Sequence, residues 1–127
     1  MDTIEWSNWY DFNSLLAMVP DCSGIYEIRT DFEFGRLQGK SAVVYIGSAE
    51  KSLRERLIGQ RCANPNRFLS GAEKLLSKAG HSLEFRYAVS SDAASARQLE
   101  VQQLTRYKEE HWELPPGNSV MPKLRKK

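Results

Sequence analysis

Tyr26, Tyr45, Arg56 and Glu100 are the residues whose types and settings point to chemistry. A tyrosine and a guanidinium held on rigid elements could serve a phosphate site, because the planar guanidinium fork matches anionic oxygens. Glu100 falls within the apolar stripe of a long helix, at i+4 from Ala96 and i−4 from Leu104. If buried there, a carboxylate must be paired, hydrogen-bonded or metal-bound. The alternative is a glutamate at the stripe's edge that reaches solvent or pairs with an arginine. His81 and His111 stand alone, so no cysteine–histidine pair has zinc spacing.

The elements that must position these groups follow from periodicity and punctuation. Gly24 to Arg29 alternates and reads as a strand carrying Tyr26. Ala42 to Ser48 is apolar, β-branched and aromatic, a second strand. Its alternation predicts Val43 and Tyr45 on one face and Val44 and Ile46 on the other, with helices over both. Antiparallel pairing can then bring Tyr26 and Tyr45 onto one face. Between these strands, residues 30–41 contain Gly35 and Gly39 and read as a long hairpin loop. After Gly47, Ser52 with Glu55 three residues on forms a capping-box pattern. The helix it opens runs to about Cys62, with Leu53 and Leu57 inward and Arg56 beside them.

The remaining elements are a helix over residues 11–19, capped by Asp11 or Asn13 and stopped at Pro20, a helix over 71–79 closed by Gly80, and a strand over 82–89. Ser91 or Asp92 caps the long helix, which continues to about Glu110 and turns Ala96, Leu99, Gln103, Leu104 and Tyr107 inward. Trp6, Trp9 and Tyr10 read as a lid on the core, or alternatively as base-stacking side chains. The expected fold is α+β: a small three-stranded antiparallel sheet, 24–29, 42–48 and 82–89, flanked by helices.

Composition bounds the function classes. The chain has 127 residues, 41% hydrophobic and 27% charged, which suits one globular domain with a single core. No apolar run approaches the ~20 residues of a membrane helix, and no secretory leader is evident. Cys22 and Cys62 are the only cysteines, which favours a reduced, intracellular (cytoplasmic) protein over a disulfide scaffold. Net charge is +2 but unevenly placed. Residues 1–50 carry 3 basic and 8 acidic side chains, whereas residues 51–78 carry 7 and 2, and residues 123–127 add four cations. A basic block suits a polyanion; the plainer alternative is a solvated face. Lys51, Arg54, Arg61, Arg67 and Lys74 are its candidate nucleic-acid contacts.

Gly24-Ile25-Tyr26 followed by Tyr45-Ile46-Gly47 resembles the GIY-YIG endonuclease family. Arg56 resembles the family arginine on the helix after the second motif, Glu100 its metal-binding glutamate, and Asn118 its closing asparagine. The resemblance spans about residues 22–119. Three departures accompany it. Eighteen residues separate Tyr26 from Tyr45, more than usual, and Gln60 stands where the family often has His or Tyr. Arg56 also lies one residue further from Tyr45 than usual, which leaves Arg54 as a second claimant.

The resemblance implies a divalent-metal-dependent endonuclease acting on DNA, in the company of excision-repair, homing, restriction and junction-cutting enzymes. Glu100 would hold Mg²⁺ or Mn²⁺, Arg56 a non-bridging phosphate oxygen, and Tyr26 or Tyr45 the attacking water. Asn118 would fix backbone geometry or the setting of Glu100. Targeting is expected to rest on a partner protein, a homodimer or the enlarged hairpin, and no membrane is expected. The competing readings are a non-catalytic nucleic-acid-binding or partner-recruiting domain that keeps the scaffold, and a small structural protein.

Overall fold

A computed structural model describes residues 4–14, 18–59 and 67–118. Its elements are β1 (Tyr10–Asp11), β2 (Gly24–Gly35), β3 (Lys40–Ala49), α1 (Leu53–Ile58), α2 (Arg67–Lys78), β4 (Leu83–Val89) and α3 (Ala93–His111). The strands form one antiparallel sheet in the order β1-β4-β2-β3.

The three expected strands are present, and a fourth joins them. β1 pairs only Tyr10 with Phe85 and Asp11 with Glu84, so it is too short to leave an alternation in the sequence. It also takes Asp11 out of the helix expected over 11–19; Phe12 and Asn13 follow as a turn, and residues 15–17 lie outside the described residues. The stretch read as a long hairpin loop is mostly strand. β2 continues to Gly35 and β3 starts at Lys40, with Phe34 opposite Ser41. Only residues 36–39 turn, closed by Arg36 N–H to the Gly39 carbonyl at 2.9 Å with Gly39 at φ 75°. The tip is then tied to the far end of α3: Arg36 donates to the Leu114 carbonyl at 2.6 Å, and the Gln38 N–H reaches the His111 carbonyl at 3.1 Å.

β3 does not alternate simply. Ile28 faces Tyr45 and Arg29 faces Val43, so Val44 is an extra residue, a bulge. The bulge reverses the expected sidedness. Val44 packs in the cluster that holds Tyr26 and Tyr45, and Val43 packs in the cluster that holds Ile46.

Two layers of helix cover the sheet, as two apolar faces require. On one face Tyr26, Ile28 and Phe85 meet Leu53 and Leu57 of α1 and Leu69 of α2. On the other, Ile25, Ile46 and Ala88 meet Leu104 and Tyr107 of α3. Leu53 and Leu57 are fully buried, each contributing about 2 kcal/mol of apolar transfer. Ser52 caps α1 by accepting the Glu55 N–H at 3.1 Å, and Asp92 caps α3 by accepting the Ser95 N–H at 2.7 Å. α2 begins at Arg67, four residues before the expected start, and the expected extension of α1 past residue 59 lies outside the described residues.

The part of the α3-side face that α3 leaves open carries charge. Arg86 grips Glu27 Oε1 through Nε at 2.9 Å and Nη2 at 2.7 Å, beneath the Trp6 and Trp9 rings. Next to it, Arg29 pairs with Glu84 at 2.8 Å and stacks on Trp9. The expected aromatic lid is therefore cation–π packing over cross-strand ion pairs. Among the described residues no helix is long and apolar enough to cross a membrane.

Candidate active site

The two motif glycines place the tyrosines by allowing close approach. At Gly24 a side chain would collide with the Ala88 carbonyl and with Leu53, so glycine lets β4 and α1 close on β2. At Gly47 a Cβ would lie 2.6 Å from the Tyr26 hydroxyl oxygen and 2.8 Å from Tyr45 Cε2. Tyr26 sits directly across from Gly47, and Tyr45 across from Ile28, so the two rings are diagonal neighbours on one face. Their centroids are 5.9 Å apart, tilted by 35°. Tyr26 is fully buried; Tyr45 is half-buried and forms part of a cavity wall.

That cavity, of about 620 Å³, opens where the edge of β3 meets α1 and α3. Tyr45, Ser48, Lys51, Arg56, Arg97 and Glu100 line it, with Glu50 and Glu55 at its charged margin. Arg56 reaches it from α1. Its charged form is favoured first by the electrostatics of Tyr26, against the opposing effect of burial, and further by a hydrogen bond to the Tyr26 side chain and by Tyr45 and Glu100. Its pKa is accordingly raised, and the guanidinium stays charged.

Glu100 reaches the cavity from α3 and accepts a hydrogen bond from Ser48 Oγ at 2.5 Å. Burial raises its pKa above the ordinary carboxylate value; the Ser48 hydrogen bond and the charge of Arg56 pull it back only in part. The carboxylate is thus half-buried, held through one oxygen by a neutral hydroxyl, and faces a polar cavity. No group of three or more His, Cys, Asp or Glu side chains is arranged to hold a metal ion among the described residues. A lone hard-oxygen ligand of this kind suits Mg²⁺ or Mn²⁺, whose remaining positions are readily filled by water and phosphate oxygens.

Three of the five expected catalytic residues, Tyr45, Arg56 and Glu100, line the cavity, and Tyr26 lies buried behind it against the Tyr45 ring. Asn118 stands beside them rather than among them. Its Oδ1 accepts the Ile46 N–H at 3.0 Å and its Nδ2 donates to the Ile46 carbonyl at 2.9 Å. With the Gly117 N–H on the Val44 carbonyl at 2.7 Å, the return segment covers part of the outer edge of β3. Asn118 fixes the strand that carries Tyr45 and Ser48 and does not line the cavity.

The two arginine claimants also separate. Arg54 Nε donates to the Val19 carbonyl at 2.9 Å, which ties α1 to the segment before β2, while Arg56 enters the cavity. Of the expected nucleic-acid contacts, Lys51 lines the cavity and Lys74 is exposed on α2. Arg67 begins α2, and Arg61 lies outside the described residues with Gln60. Sequence reasoning missed Ser48, Glu50 and Arg97. The available signals were the position of Ser48 immediately after Gly47 and of Arg97 one helical turn before Glu100.

Comparison with protein-family models, with curated proteins and with solved structures finds no match to this chain.

Proposed function

We propose that the chain is a GIY-YIG-type endonuclease domain that hydrolyses phosphodiester bonds in DNA with the help of Mg²⁺ or Mn²⁺. One observation carries the reading: Arg56 and Glu100, brought in by helices on opposite faces of the sheet, line one cavity with Tyr45, whose ring packs on that of the buried Tyr26.

Hydrolysis needs an attacking water, stabilisation of charge at phosphorus and help for the leaving oxygen. Arg56 binds a non-bridging phosphate oxygen through its planar fork and gains as charge accumulates there. Tyr45, on the cavity wall, orients the attacking water through its hydroxyl. Arg56 lines the same cavity beside it. Tyr26, buried under Gly47, backs the ring of Tyr45. Glu100 would hold the divalent ion, and Ser48 fixes the rotamer of that ligand. Bound there, the ion supplies Lewis-acid stabilisation to the phosphate and the leaving oxygen. Asn118 keeps β3 from shifting.

The test is nicking of supercoiled plasmid with and without Mg²⁺, beside Glu100→Ala. The reading expects nicking that needs the ion and is lost in the variant. Equal nicking by Glu100→Ala would overturn it. Salt-sensitive DNA binding without nicking under any divalent ion would favour the non-catalytic alternative.

A further inference from the structure

We propose that Arg97 is a second phosphate-binding residue of the cavity, occupied in the free protein by Glu50, and that a nucleic-acid phosphate neighbouring the one at Arg56 displaces that carboxylate. The inference rests on the phosphodiesterase reading above and names how its substrate is held.

Arg97 projects from α3 into the same cavity as Glu100, one turn earlier on the helix. Its Nη1 lies 3.0 Å from Glu50 Oε1, with the two side chains 25% and 46% exposed. A pair this open to solvent is only weakly stabilising, so one oxyanion readily exchanges for another. A phosphodiester offers two anionic oxygens in the geometry a guanidinium fork prefers. Glu50 belongs to the three-residue link between β3 and α1, next to Lys51, which also lines the cavity. When Glu50 leaves Arg97, the cavity presents Lys51, Arg56 and Arg97 together.

Arg97 lies one turn before Glu100 on α3 and lines the same cavity as Arg56, so it is the guanidinium available to the neighbour of a phosphate held between Arg56 and Glu100. The contrast with Glu27 and Arg86 is instructive: there the carboxylate is 5% exposed and held by two guanidinium nitrogens, which leaves no access for an outside anion.

The experiment is fluorescence anisotropy of a labelled 20-base-pair duplex with the whole chain in EDTA, titrated with salt. Arg97→Gln should weaken binding severalfold at low salt and flatten the plot of log affinity against log salt by about 0.9. Glu50→Gln should tighten binding severalfold, and this gain should disappear in the Glu50→Gln/Arg97→Gln double variant. A gain from Glu50→Gln that persists without Arg97 would reduce Glu50 to a general repulsive charge and overturn the proposal. So would unchanged affinity and slope in Arg97→Gln with a lowered melting temperature in both single variants, the mark of a structural tie. Plasmid nicking reads the underlying function separately. A chain that shows the Arg97 and Glu50 effects but never nicks keeps the phosphate site and loses the nuclease reading. A chain that nicks while Arg97→Gln binds like wild type keeps the reading and loses the site. A wild-type chain that does not bind the duplex overturns both.

Discussion

Glu27 and Glu100 are both carboxylates drawn out of water near the same sheet, and burial raises the pKa of each. They differ in what surrounds the charge. Glu27 faces Arg86 across the β2–β4 ladder, takes two guanidinium hydrogen bonds on one oxygen, and lies under tryptophan. Glu100 has a serine hydroxyl, an arginine that acts at longer range, and an open cavity. The first is a charge whose partner travels with it and whose burial serves packing. The second keeps ligand capacity in reserve, at the expense of folding free energy. A buried glutamate is informative about function through the partners it lacks, more than through its depth.

That contrast can be broken in five ways, given from the largest expected effect to the smallest. Glu100→Gln should lower metal-dependent nicking more than about 100-fold, beyond the usual loss of an outer-shell partner. The same variant should melt at or above the wild-type temperature at pH 7. Because the folded-state pKa of Glu100 is raised, its ionised form weakens folding above that pKa and the penalty is relieved as pH falls through it. The melting difference should therefore close on acidification. Glu27→Ala should do the opposite: about 3 kcal/mol of stability lost in urea titrations, since Arg86 is left without its anion, with nicking per folded molecule retained.

Arg56→Lys should lower turnover about 100-fold, because an ammonium cannot reproduce the planar fork, while Arg54→Lys should cost about 1 kcal/mol of stability and little turnover. Gly47→Ala forces a methyl group against both tyrosine rings, and a displacement of that size should cost on the order of 10-fold in rate with 1–3 kcal/mol in stability. The smallest effect is a shift: Ser48→Ala removes an influence that lowers the pKa of Glu100, so the acidic limb of the pH–rate profile should move to higher pH. An unmoved limb would separate Ser48 from the titration of Glu100.

The long α3 and the cores of β2, β3 and β4 were legible because their apolar residues repeat at a helical or strand period over many positions. What escaped did so for local reasons. Phe32 and Phe34 do alternate with Asp31 and Glu33, but flanking glycines and charges make that extension look like loop. The bulge at Val44 is hidden because Val43 to Ile46 is apolar on both sides, so no polar residue marks the slip in phase. Tyr26, Tyr45, Arg56 and Glu100 could be nominated from motif and helix stripe. The separation of Arg56 from Arg54 could not, because it depends on how α1 leaves β3. Arg97 and Glu50 meet only through that same junction, which no sequence period encodes.

Asn118 imitates a peptide group for Ile46, and the timing of synthesis gives that imitation a consequence. As the chain emerges from a ribosome, β2, β3 and β4 are complete well before residue 118 appears. During that interval the outer amides of β3 have no cover, and an exposed strand edge is a template for pairing with another chain. The asparagine thus acts as the last stitch of the nascent fold. Chains truncated just before it should carry a nearly finished sheet that seeks its missing neighbour in other copies.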